Sequence, residues 1–145
     1  MTDPSIATDP TTCQLHRSDA ECAFLTNIVA IAVEGGIGYW SWCSDYRWYS
    51  PTLSGGSALH QDDKCNAYAT IREIEEPAEV DGAIHLDLDV VAKGLARLLH
   101  PGFAVRSDIA AAALEARETR DAGLIDAEIA DCIVQAGLFG KLVYG

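Results

Sequence analysis

Positive charge is scarce in this sequence: ten lysines and arginines face 22 aspartates and glutamates, leaving a formal net charge of −12. A field of that sign repels nucleic acid phosphates and favours basic partners, so direct nucleic acid binding is not expected. Also lacking is any run approaching the roughly 20 consecutive apolar residues that a bilayer demands. The N-terminus has neither the basic segment nor the apolar stretch of a secretory leader, and the expectation is a soluble cytoplasmic protein with no membrane contact. No CxxC pair occurs. Cys13, Cys22, Cys43, Cys65 and Cys132 are odd in number and scattered, which argues against a disulfide framework and for reduced thiols. The close Cys/His groupings, Cys13 with His16 and Cys22, and His60 with Cys65, lack the second half of a structural zinc site, so neither metal nor cofactor is expected. With no GxSxG, HExxH or catalytic-cysteine signature, no catalytic residue can be named and the balance leans against an enzyme.

What is present suffices for one domain, since 145 residues at 49% apolar content can build a core. Residues 1–17, with two Asp-Pro pairs and little apolar periodicity, read as a flexible arm, and a single domain is expected over 18–145. The acids are unevenly placed. Residues 62–89 hold nine acids against Lys64 and Arg72, and residues 108–131 hold seven against Arg117 and Arg120. Between those blocks Lys93, Arg97 and Arg106 form a short basic interval.

Ser18-Asp19-Ala20-Glu21 matches a capping box, and Phe24, Leu25, Ile28, Val29, Ile31 and Ala32 follow at helical spacing. Gly35 and Gly36 should end this helix, one of them left-handed. Residues 66–76 are rich in strand formers, Pro77 closes them, and 83–86 forms a further short strand. Asp87 caps a helix running to about residue 99, stopped by His100-Pro101-Gly102, and two more helices begin at Ser107 and Asp126 as caps. The order of elements predicts an α+β fold, a small antiparallel sheet of about three strands packed against about four helices. Residues 51–64 read as loop.

The stretch "VEGGIGYWSWCSDYRWYSP" (33–51) is the most conspicuous in the chain. Its glycines follow a helix, so the carbonyl end rather than the anion-binding amide end faces them, and a phosphate cradle is excluded. A strand period places Trp40, Trp42, Tyr46 and Trp48 on one face, with Tyr39, Cys43, Arg47 and Tyr49 on the other, unless Ser44-Asp45 is a turn between two short strands. With one nearby base, Arg47, the aromatics do not make a base-stacking groove. They are either sheet core or a protein-binding patch, and Trp40, Trp42, Tyr46 and Trp48 with Arg47 form the aromatic contact candidates.

Two segments, "VEGGIGYW" (33–40) and "LIDAEIADCIVQAGLFGKLVYG" (124–145), together with "IHLDLDVVAKGLARLL" (84–99), resemble a group of small uncharacterised proteins carried by bacteriophages and integrative elements of bacteria. The shared pattern is Gly-Gly then Tyr39-Trp40, and Ile125-Asp126, Ala130-Asp131, Leu138-Phe139-Gly140 and Tyr144-Gly145. The resemblance spans most of 22–145, departs at 50–65, and implies an accessory gene of a mobile element without implying an activity. The leading expectation is therefore an acidic factor that binds and modulates a host protein with a basic surface in the host cytoplasm. Its sharper form is imitation of nucleic acid, placing Glu73, Glu75, Glu76, Glu79, Asp81, Glu115, Glu118 and Asp121 in the DNA-binding cleft of a defence or DNA-processing enzyme. The alternatives are a nucleotide-like ligand bound among the sheet aromatics and neutralised by Arg47 and Arg72, and a virion or assembly component.

Overall fold

Ser18 opens the first helix as the capping box predicts, its hydroxyl accepting from the Glu21 amide at 3.0 Å. In the computed structural model the residues described are 17–47, 65–75 and 82–145. The expected arm, the loop over 51–64 and the candidates Trp48, Glu76, Glu79 and Asp81 lie outside them, apart from Arg17. Helix α1 (Asp19–Ile31) buries Cys22, Phe24, Leu25, Ile28 and Val29. It continues into one π-helical turn, Ala32–Gly36, closed by the Ile37 amide donating to the Ala32 carbonyl at 2.9 Å. No left-handed glycine ends it: the positive-φ glycines among the described residues are Gly140 and Gly145. Gly36 is needed for proximity instead, since a Cβ there would stand 2.7 Å from the Ala127 carbonyl oxygen.

Three strands, β1 (Ser41–Arg47), β2 (Tyr68–Glu73) and β3 (Ile84–Asp87), form an antiparallel sheet in that order. The α+β expectation therefore holds, with four α-helices accompanying the sheet among the described residues. Ala69, Ile71 and Leu86 point inward to one core with the helices, while Tyr68, Thr70, Arg72, His85 and Asp87 alternate to the outer face. In β1, Cys43 pairs with Ile71 and Asp45 with Thr70, so Ser44 is an extra residue in a β-bulge. That one residue overturns the single aromatic face. Trp42 pairs with Arg72 on the outer face, Tyr46 pairs with Ala69 on the inner one, and Trp40 precedes the strand entirely. Arg47, opposite Tyr68, is carried to Trp42's side.

Asp87 ends β3 and caps α2 (Leu88–Leu98), accepting from the Val90 amide at 3.0 Å. Helix α3 (Ser107–Thr119) corrects another expectation: Ser107 is its first helical residue rather than its cap, and the cap position is Arg106, without a side-chain capping bond. A 3-10 turn, Ala122–Leu124, leads to α4 (Ala127–Phe139), which Asp126 caps by accepting from the Ile129 amide at 2.8 Å. Every residue of α4 from 129 to 137 is buried, making it the central helix. It crosses α2 at very short range. A Cβ on Gly94 would fall 1.9 Å from the Ile133 carbonyl oxygen, and one on Gly137 would fall 2.2 Å from that of Val90.

The disulfide expectation fails for one pair, because Cys22 of α1 is bonded to Cys65, just before β2, with Cα atoms 5.0 Å apart. Their separation of 43 residues carries no motif; the fold, not the spacing, brings them together. Cys43 and Cys132 are free thiols. No helix among the described residues is long and apolar enough to cross a membrane.

Candidate functional site

The aromatic stretch divides into two sites with opposite characters. Trp40 is 3% exposed. Its ring stacks on Tyr144 at 4.9 Å between centroids with planes 6° apart, Phe139 lies 5.6 Å away, and its indole nitrogen donates to Asp131 Oδ1 at 2.8 Å. Asp131 and Gln135 sit one turn apart on α4, so their side chains meet, and Gln135 Nε2 donates to Oδ1 at 2.8 Å. Tyr39 donates to Asp131 Oδ2 at 2.6 Å. Gln135 Oε1 accepts from the amides of Val143 and Tyr144 at 2.7 and 2.8 Å, doing for the last residues what a neighbouring strand would do. The Tyr144 hydroxyl in turn donates to Glu73. Tyr39 and Trp40 thus form one cluster with Asp131, Phe139 and Tyr144, about a hundred positions further along the chain, with Trp40 and Asp131 buried at its centre.

Trp42 is the opposite case, 63% exposed on the outer face of the sheet. Around it the register sets Arg72 opposite, then Asp45, Thr70 and His85 across the sheet, then Arg47, Tyr68 and Asp87. The face is partly preorganised: Tyr68 donates to Asp45 at 3.0 Å, Arg47 lies 3.6 Å from the same carboxylate, and the Tyr68 and His85 rings are 5.2 Å apart. The hydrogen bond to Asp45 is also the main cause that pushes the Tyr68 phenol up.

A cleft of about 510 Å³ opens above Asp131, bounded by the Gly35-Gly36 turn, Tyr39, Val105, Ile109 and Leu142. Its reactive groups are held protonated. Burial, reinforced by the Asp131 charge, pushes the Cys132 thiol up to about 11, and burial with the hydrogen bond to Asp131 pushes Tyr39 up to about 12. Burial likewise raises the Cys43 thiol on β1, and raises Tyr46, whose hydroxyl donates to Glu34 at 3.1 Å. None of these four is an activated nucleophile near neutral pH. Among the described residues no group of three or more histidine, cysteine or acidic side chains is arranged to hold a metal ion.

The acidic candidates scatter across elements. Glu73 is bonded to Tyr144 and Asp121 caps the 3-10 turn through the Gly123 amide at 2.9 Å, so both carboxylates have structural roles. Glu75 is exposed just past β2, while Glu115 and Glu118 are exposed on α3. Sequence reasoning missed Asp131 and Gln135 as the organising pair. Their signal was two polar residues at i and i+4 inside the otherwise apolar "IADCIVQAGLF". No protein-family model, curated protein or solved structure matches the chain.

Proposed function

We propose that this chain is a small acidic binding protein, an accessory factor of a phage or other mobile element, that engages a basic host protein through the outer face of its sheet with Trp42 as anchor. The observation that carries the reading is the exposure of Trp42 on a strand whose other tryptophan neighbour, Trp40, is buried. An exposed tryptophan beside Tyr68, Arg47 and Arg72 has the composition of an interface centre, where tryptophan, tyrosine and arginine concentrate binding energy, and Asp45 and Asp87 on the same face supply carboxylates for a basic partner. The charge of −12 supports a basic partner, drawn by long-range attraction and held by the local apolar contact. Imitation of nucleic acid is a finer version supported by charge alone.

The test is comparative capture from host lysate by wild type, Trp42→Ala and Leu124→Ala, the last removing a side chain exposed on the 3-10 turn. The reading expects one basic protein retained by wild type and Leu124→Ala, and at least tenfold depleted with Trp42→Ala, since a central tryptophan is worth about 2 kcal/mol or more. Equal capture by all three, or a retained protein with no basic surface, overturns it.

A further inference from the structure

We infer that the cleft above Asp131 takes an ammonium-bearing ligand with an apolar body, either a free amine or a lysine side chain. Asp131 is only 6% exposed, yet it lines the cleft. It accepts from Trp40, Tyr39 and Gln135, all neutral donors. The one basic residue of the cleft wall among the described residues, Arg106, is spent elsewhere: its guanidinium bonds Asp108 at 3.0 and 3.1 Å and Glu128 at 3.0 and 3.2 Å. The floor therefore holds a buried carboxylate with no cationic partner among the described residues. Removing an ion from water costs several kcal/mol, and neutral donors offset only part of it. Oδ1 receives two hydrogen bonds and Oδ2 one, which leaves an acceptor position on Oδ2.

The walls select what fills that position. Val105, Ile109 and Leu142 are apolar, and Tyr39, 56% exposed, adds an aromatic ring to the lining. An anion would meet Asp131 and the Glu128 rim inside a molecule of charge −12. A bare divalent ion would need several oxygen ligands, and one carboxylate oxygen does not supply them. A neutral ligand would leave the charge unanswered. The volume, about 510 Å³, suits an alkyl or aryl ammonium, and a lysine presents the same group on a four-carbon stem.

The experiment is a titration of the full chain, followed by amide chemical shifts at Gly35, Gly36 and Cys132. The probes are butylammonium, benzylammonium and an acetylated lysine peptide, against butanol, benzyl alcohol and the norleucine peptide. The inference expects saturable shifts with at least one ammonium probe, binding at least tenfold weaker for its neutral counterpart, and weakening as salt rises from about 50 to 500 mM. Saturation by the amines identifies a free-amine site, and saturation by the lysine peptide alone identifies a partner's side chain. Asp131→Asn should abolish binding. Should that variant not fold, Val105→Trp fills the cleft from its rim with the carboxylate in place, and should abolish binding equally. No saturation by any ammonium probe up to about 10 mM, or equal binding of the neutral counterparts, overturns the inference. Trp42→Ala leaves amine binding unchanged, so failure here and failure of the sheet-face reading are separable.

Discussion

Replacing Trp40 with phenylalanine should cost far more than the same change at Trp42, two residues away. At Trp40 the substitution removes the indole donor to Asp131, a charge-assisted bond at 2.8 Å worth about 1.5–3 kcal/mol. It also leaves unfilled space beneath Tyr144 and Phe139, and the smaller ring forfeits part of the 4.9 Å stack, adding about 1 kcal/mol. The sum is about 3 kcal/mol, a large share of the 5–15 kcal/mol typical of a whole domain. For a chain of this size that is a fall in Tm of roughly 10 °C. Trp42→Phe, at an exposed position, should stay within about 0.5 kcal/mol. Thermal melts by circular dichroism measure the difference, and amide exchange at Val143 and Tyr144 locates it. Both amides are held by Gln135, which Trp40 supports through Asp131, so they should exchange faster in Trp40→Phe and not in Trp42→Phe. Equal melting of the two variants would refute the burial argument, and unchanged exchange at 143 and 144 would refute the coupling.

Reduction of the Cys22–Cys65 bond should release two further thiols in a denaturing thiol assay and lower stability by about 4 kcal/mol on the chain-entropy account, read as a drop in Tm with reductant. Gly94→Ala should destabilise by at least 3 kcal/mol in a urea melt, because its Cβ would fall 1.9 Å from a backbone oxygen in a neighbouring helix, whereas Gly102→Ala should be neutral. Stability should also fall at alkaline pH. The Cys132 thiol and Tyr39 phenol are raised to about 11 and about 12 in the folded state, so their contributions are complete below the unfolded values near 9 and 10 and are lost as pH rises through the folded ones. Melts between pH 8 and 11 should show the decline, and Cys132→Ala should flatten its onset.

The helices were legible because their signals are local. The Ser18, Asp87 and Asp126 caps and the apolar stripes each depend on residues within a few positions, and each cap reappears with its side-chain hydrogen bond, although Glu21, the other half of the Ser18 box, pairs with Arg120. What was not legible depends on residues far apart in the chain. The Cys22–Cys65 bond, the approach of Gly36 to α4 and the Gly94–Gly137 crossing arise only when elements pack, and no spacing along the sequence encodes them. The Ser107 cap failed locally, because Arg106 occupies the cap position and its guanidinium bonds Asp108 and Glu128. The aromatic face failed for a smaller reason: a strict two-residue period was applied across a bulge. The contacts joining Tyr39 and Trp40 to Asp131, Phe139 and Tyr144 are of the same long-range kind.

The bulge has one further consequence, for how the segment tolerates change. Ser44 pairs with no residue across the ladder, although its hydroxyl donates to the Thr70 carbonyl at 3.3 Å, and the pairs on either side of it, Cys43 with Ile71 and Asp45 with Thr70, are already consecutive. Delete that single position and the ladder runs unbroken, with Tyr46 still opposite Ala69 and Arg47 still opposite Tyr68. Replacing or deleting residue 44 should therefore both leave the sheet standing, whereas losing two residues between Trp42 and Tyr46 should turn Tyr46 toward solvent.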